Sequence, residues 1–395
     1  MKKEWPTKTL GEVLQKTETV NPLQSPETEF DYIDVSSVSN ATFQIKATQR
    51  LKGKNAPSRA RKLVRENDVL FATVRPTLQR IAVVPEHLDK QVCSTGYFVL
   101  RAKHGIDHRF VFYSLFTEDF IAQMESLQKG ASYPAVTDGD VKAQVIPVPP
   151  LPEQQRIVGI LDEAFEGLAT AKANAEKNLQ NARVLFESHL QSVFTQRGKG
   201  WKQKTLEEIA TTFGRGKSKH RPRNAPHLYG GKYPFVQTGD IRNADHIITE
   251  YSQTYSEAGL AQSKLWPNGT ICITIAANIA ETAILGFDAC FPDSVIGVVA
   301  NPKEADVGFI EYLLQSLKAR LQAMGKGSAQ ANINMGTFEN ERFPFPPVAE
   351  QKDIVSKLDA LTAETQRLES LYERKLAALD ELKKSLLHQA FTGQL

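Results

Sequence analysis

The residue types that could do chemistry are present in this chain, but not at the spacings chemistry needs. Gly216-Lys217-Ser218 has the look of a phosphate-loop end, whose backbone N–H groups cradle a nucleotide only when another glycine lies five residues before the second one. Thr211 stands there instead. Pro149-Pro150 follows Val148 and Pro346-Pro347 follows Phe345, where an amino-methyltransferase motif places Asn or Asp. Pro292-Asp293 has no acidic-x-Lys partner within about 30 residues after it, so a nuclease centre is not indicated. The eight histidines form no HExxH for zinc. Cys93, Cys272 and Cys290 are odd in number without a CxxC pair, which argues for a reducing compartment and against a disulfide or zinc framework. No catalytic, cofactor-binding or metal-ligating residue is assigned, and no cofactor is expected.

What remains is clustered positive charge. Arg50, Lys52, Lys54, Arg59, Arg61, Lys62 and Arg65 fall within 16 residues free of acid, and Arg215, Lys217, Lys219, Arg221 and Arg223 within nine, beside His220. Gly, Pro, Ser and Asn accompany both clusters, which predicts loops. A dense basic loop neutralises phosphates by releasing counterions, and an arginine fork matches a guanine edge. The competing reading is a solvated charged loop. Arg75 and Arg80 extend the first cluster, with structural roles as their alternative. The candidate DNA-binding residues are therefore Lys52, Lys54, Arg59, Arg61, Lys62, Arg75 and Arg80, then Arg215, Lys217, Lys219, Arg221 and Arg223.

The elements that position these residues occur twice. Trp5 to Val13 answers Trp201 to Ile209, Phe110-Val-Phe-Tyr113 answers Phe309-Ile-Glu-Tyr312, and Lys129-Gly130 answers Lys326-Gly327. Pro149-Pro150-Leu-Pro-Glu153-Gln154 answers Pro346-Pro347-Val-Ala-Glu350-Gln351, Leu161-Asp162 answers Leu358-Asp359, and Phe194-Thr195 answers Phe391-Thr392. An offset near 197 is a duplicated domain, well beyond a solenoid repeat. The expected division is a globular domain at 1–150, a long helix at 151–197, a second globular domain at 198–347 and a second long helix at 348–395.

Short β-branched and aromatic runs predict strands at 30–35, 68–74 and 81–84, then at 233–238 and 270–275, with helices near 108–128 and 307–324. Residues 153–196 and 350–392 contain no proline. Ile157, Leu161, Ala164, Leu168, Ala171, Ala175, Leu179, Ala182 and Phe186 recur at spacings of three and four. Leu358, Leu361, Thr365, Leu368, Tyr372, Leu376, Leu379, Leu382 and Leu386 do the same, and each run forms a narrow apolar seam. Two seams of equal length, each following Pro-Pro, predict an antiparallel coiled coil relating the halves by a pseudo-twofold axis, with one globule at each end. A surface helix on its own domain is the plainer alternative. The fold class expected is α+β.

Net charge is +3, yet 153–196 carries −2 and 350–395 carries −1, so the globular parts hold +6. No apolar run approaches the ~18–20 residues needed to span a bilayer, and no secretory h-region is read at the start, so a cytoplasmic protein is expected.

At this point the whole chain resembles the specificity subunit of type I restriction–modification systems. The residues carrying the resemblance are Pro149-Pro-Leu-Pro-Glu-Gln-Gln-Arg-Ile-Val158, Val348-Ala-Glu-Gln-Lys-Asp-Ile-Val355 and the terminal Leu387-His-Gln-Ala-Phe-Thr-Gly-Gln-Leu395. Asp68 to Pro76 and Ser94-Thr-Gly-Tyr97 in the first globule, and Gly230 to Ile241 and Phe291-Pro-Asp-Ser294 in the second, belong to different subtypes of recognition domain. The resemblance implies a non-catalytic subunit whose two domains each read half of a bipartite, asymmetric site in double-stranded DNA. It implies helices that set the gap and dock two methyltransferase subunits, with translocase–nuclease subunits joining the assembled complex. It supplies no base-contact residues. A self-contained nuclease or methyltransferase, and a coiled-coil scaffold without a nucleic-acid role, are the competing classes.

Overall fold

Each long helix starts where the sequence puts Pro-Pro. In the computed structural model, which describes residues 5–195, 198, 200–220, 222–276, 278–326, 335–339 and 341–395, the helices run Leu151–Thr195 and Val348–Phe391. The first spans about 65 Å for its 45 residues. The chain divides into two compact units, 1–176 with 373–395 and 177–372, so each unit takes part of both helices. No described helix is long and apolar enough to cross a membrane.

In the first unit the strands are β1 (Thr7–Thr9), β2 (Glu29–Ile33), β3 (Gln49–Lys52), β4 (Ala60–Leu63), β5 (Val69–Ala72), β6 (Ile81–Val83), β7 (Val92–Ser94), β8 (Tyr97–Leu100) and β9 (Val145–Pro147). They form a four-stranded sheet β3-β2-β7-β4, a three-stranded sheet β6-β5-β8 and the ribbon β1-β9. Strand β5 is Val-Leu-Phe-Ala, buried on both faces, as an apolar β-branched run demands. Against this sheet lie α1 (His108–Ser114) and α2 (Glu118–Leu127), with Phe71 and Phe120 edge to face at 5.4 Å. The single helix expected at 108–128 is thus two, because Thr117 adopts an extended conformation and caps α2 through the Phe120 N–H.

The second unit repeats the plan with β10 (Lys202–Lys204), β11 (Ala210–Arg215), β12 (Tyr229–Phe235), β13 (Ile247–Ile248), β14 (Gln253–Tyr255), β15 (Ile271–Thr274), β16 (Thr282–Leu285), β17 (Val295–Ala300) and β18 (Phe343–Phe345). Its main sheet is β11-β17-β15-β16-β13, and β10-β18 answers β1-β9. Three helices complete the long elements: α3 (Leu151–Thr195), α4 (Val307–Lys326) and α5 (Val348–Phe391).

Within each unit α3 and α5 pack antiparallel. In the first, Lys172 Nζ meets Asp380 Oδ1 at 2.8 Å and Arg156 donates to the Leu395 carbonyl at 2.8 Å. In the second, Arg183 Nε meets Glu369 Oε2 at 3.0 Å, while Leu190, Phe194 and Leu358 share one core. Rising numbers on one helix meet falling numbers on the other. The architecture is α+β, and the helix contact repeats between units, Lys172–Asp380 in the first answering Glu369–Arg183 in the second at the offset of 197.

One seam position differs from the sequence reading. Leu382 is 47% exposed, and Lys383 takes its place, its ammonium 4.8 Å from the Phe43 ring and 5.4 Å from Phe165. After Leu379 the seam steps by four, and the lysine stem lies along the aromatic rings. Burial pushes the Lys383 pKa down.

Candidate nucleic-acid interface

The first basic cluster lies largely on strands. β3 carries Arg50 and Lys52, and β4 carries Arg61 and Lys62, so the Gly, Pro and Ser residues mark only the connection between them. Strand pairing brings acids to these cations from elsewhere in the sequence. Arg50 faces Asp31 at 2.8 Å and Glu29 at 3.4 Å, since β2 and β3 are antiparallel neighbours. Lys52 and Lys54 share Glu27, at 3.2 and 2.9 Å, and these two bonds hold the Glu27 carboxyl below its usual range. Arg65 meets Glu18 at 2.6 Å. Lys62, 17% exposed, donates to the Tyr97 carbonyl at 2.6 Å and Asp138 at 2.9 Å, which ties β4 to β8 and to the turn before β9.

Three of the candidate cations in the first unit form no ion pair among the described residues. Arg59 is exposed and forms no ion pair among the described residues. Arg61 donates to the Ala60 carbonyl alone, at 3.1 Å. Arg75 reaches the Ser132 carbonyl at 3.5 Å and lies 5.1 Å from the centroid of the Tyr133 ring. Arg80 instead points inward, donating to the Val38 carbonyl at 2.6 Å.

Backbone bonds gather Arg59 and Arg75 around one turn. The Thr95 N–H donates to the Arg59 carbonyl at 2.8 Å, and the Thr73 N–H to the Gly96 carbonyl at 2.9 Å. The Thr73 carbonyl in turn accepts from Val136 at 2.9 Å, and the Arg75 N–H donates to the Pro134 carbonyl at 2.7 Å. The turn 94–97 thus joins β4, the segment after β5 and the loop 128–135 on one surface.

The second unit uses the corresponding turn. The Ile275 N–H donates to the Ser294 carbonyl at 2.9 Å, as Thr73 does to Gly96. Asp293 in this turn organises the basic residues: Arg215 donates from Nε to its carbonyl at 2.8 Å, and Arg223 reaches both carboxylate oxygens at 2.9 and 2.8 Å. Lys217 and Lys219 are exposed and form no ion pair among the described residues, and Arg221 lies outside the described residues. The Lys217 backbone is fixed by Ser263, whose hydroxyl donates to its carbonyl at 2.8 Å. Beside the turn, Ser218, Arg223, Tyr229, Gln237 and Ser294 line an open cavity of about 200 Å³.

The sequence names the basic residues but not the groups that organise them. Asp293 stood in a rejected nuclease fragment and in the motif Phe291-Pro-Asp-Ser294 without a role toward the basic residues, and Tyr133 drew no attention, although an aromatic residue among Gly, Ser and Pro was its signal. The three cysteines are buried, and burial pushes the Cys93 thiol up to about 12. Each is a core group with little thiolate character.

A family model described as type I restriction modification DNA specificity domain matches the chain twice, over residues 2–179 and 198–375. The putative type I restriction enzyme MjaX specificity subunit of Methanocaldococcus jannaschii is 22% identical over 285 residues, covering 68% of this chain and 63% of that protein. The type I restriction enzyme EcoKI specificity subunit of Escherichia coli K12 is 24% identical over 328 residues, covering 77% of this chain and 69% of that protein. Among solved structures, the HsdS subunit from Thermoanaerobacter tengcongensis is similar with a TM-score of 0.74 at 30% identity, over 99% of this chain and 97% of that one. A chain from a study of complex assembly and conformational transition in the type I R-M system gives 0.84 at 30% identity, over 99% and 98%.

Proposed function

The chain belongs to the type I restriction modification DNA specificity domain family, and from that premise we propose that it supplies sequence recognition to a complex whose chemistry other subunits perform. Each unit reads one half of a bipartite, asymmetric site in double-stranded DNA. Helices α3 and α5 set the gap between half-sites and dock two methyltransferase subunits, and translocase–nuclease subunits act through the assembled complex. The observation that supports this most directly is the repeated turn, at 94–97 and 292–294, with Arg59 and Arg75 near the first and Lys217 and Lys219 near the second forming no ion pair among the described residues.

Arg59, Arg61 and Arg75 serve the first half-site, and Lys217 and Lys219 the second, with Arg215 and Arg223 held in place by Asp293. Lys52, Lys54, Lys62 and Arg80 support the surface that carries them. Each unpaired cation gains by releasing condensed counterions from phosphate, whereas a lysine already paired to Glu27 must first give up its partner.

The test is methylation of plasmid DNA. Purified chain alone should leave the DNA unmodified, and adding its methyltransferase subunit should produce methylation at one split sequence. Methylation by the chain alone, or sequence-independent methylation by the assembled complex, would overturn the reading.

A further inference from the structure

The loop 128–135 presents an aromatic ring to solvent on a base built to hold it. Tyr133 is 71% exposed. The loop is closed at its foot by paired backbone bonds, Lys129 N–H to the Ala135 carbonyl and Ala135 N–H to the Lys129 carbonyl, both 2.9 Å. Gly130 turns it with φ +102°, and a Cβ there would meet the Tyr133 carbonyl at 3.0 Å. The platform beneath is Arg75, a non-glycine residue in the left-handed region at φ 51°, ψ 59°. That conformation costs about 1 kcal/mol or more and persists where surroundings fix it. Here the fixing contacts are the Arg75 N–H on the Pro134 carbonyl and the rigid Pro76 that follows. The result sets the guanidinium over one face of the Tyr133 ring and leaves the other face open.

An exposed tyrosine that only braced a loop would need no guanidinium over its ring, and this one forms no ion pair among the described residues. The backbone carrying the pair is joined to that of Arg59 through the bonds that link Thr73, Gly96 and Thr95. A flat apolar ring with an adjacent five-donor fork suits the edge of a DNA base pair: the ring takes a thymine methyl or a sugar, and the fork a guanine edge or phosphate. We propose that Tyr133, propped by Arg75, is a specificity-determining residue of the first unit that packs against base edges in a DNA groove. This rests on the DNA-reading function proposed above and adds a residue to it.

The experiment uses the full chain assembled with its methyltransferase subunits. Binding is measured for Y133A, Y133F and R75K on the cognate site, on sites altered in the first half, and on sites altered in the second half, over a salt series. Y133A should weaken cognate binding by about 5- to 100-fold and flatten discrimination at one or two positions of the first half only. Y133F should retain both, because the ring carries the contact. R75K should keep the salt slope and lose discrimination, because a lysine keeps the charge and lacks the fork. Thermal melting of each variant should match the parent. If Y133A keeps parental affinity and parental discrimination, the proposal fails while salt-sensitive DNA binding leaves the function standing. If the parental complex shows no sequence-dependent binding, the function and the proposal fall together.

Discussion

The side-chain carbonyl of Gln154, a residue 1% exposed, accepts a hydrogen bond from the Asp107 N–H at 2.9 Å. Asp107 is the N-cap of α1, accepting from the Arg109 and Phe110 N–H groups, so one glutamine on α3 fixes the start of a helix 47 residues earlier. The Gln154 amide also donates to the Pro149 carbonyl at 2.8 Å, at the start of α3 itself. Gln351 repeats all of this with Asp306 at 2.8 Å and the Pro346 carbonyl at 2.8 Å.

The glutamines therefore join the long helices to the globular cores. Gln154→Leu removes the amide and strands a buried N–H and a carbonyl, at a cost of about 1–3 kcal/mol for each group left unpaired. Urea unfolding should show a lower midpoint for Q154L and Q351L than for the parent. Parental midpoints for both leucine variants would contradict this account.

The same helices test the seam. Lys383→Met should be neutral or stabilising by up to ~1 kcal/mol, because a desolvated charge gives way to an apolar stem among the rings of Phe43, Phe116 and Phe165. Leu382→Ser should stay within about ±0.5 kcal/mol, as an exposed position does. Thermal melts that rank these two the other way would place Leu382 back in the seam.

A buried charge pair in the second unit makes stability depend on pH. His246 Nδ1 lies 2.8 Å from Glu311 Oε2, in ion-pair contact although off the hydrogen-bond direction, and Glu311 is fully buried. Glu311 raises the His246 pKa above its ordinary 6.5, with Asp359 and Asp245 adding to the field and burial opposing it. The folded state binds the proton more tightly, so this contribution is fully present below about pH 6.5 and is lost as pH rises through the folded value. Melting temperature measured from pH 5.5 to 9 should decline over that window. E311Q should flatten the decline, and H246A, which leaves Glu311 unpaired, should cost about 3 kcal/mol at pH 6.

Salt dependence separates the two kinds of cation in the first unit. Arg59→Ala and Arg61→Ala should each reduce the slope of log affinity against log salt by about one, if each meets a phosphate. Lys62→Met should leave the slope unchanged and lower stability by about 1 kcal/mol, since its ammonium is spent on Asp138 and Tyr97. A slope change for Lys62→Met as large as that for Arg59→Ala would refute the distinction.

The sequence by itself determined the duplication, the two long helices and some of the strands, among them β2, β5, β6, β12 and β15. These follow from order along the chain: matched residues about 197 apart, Pro-Pro before each helix, apolar residues every three or four positions, and β-branched runs between turn formers. It also named the two clusters of basic residues. Only the tertiary structure decided which cations are unpaired, because Glu27, Asp31, Glu18 and Asp138 reach Lys54, Arg50, Arg65 and Lys62 from 19 to 76 residues away. Coulomb attraction depends on distance in space, and strand pairing sets that distance without leaving a mark on local composition. The same holds for Arg75 and Tyr133, which lie 58 positions apart in the chain and meet only because Thr73 bonds to Val136 and Arg75 to Pro134.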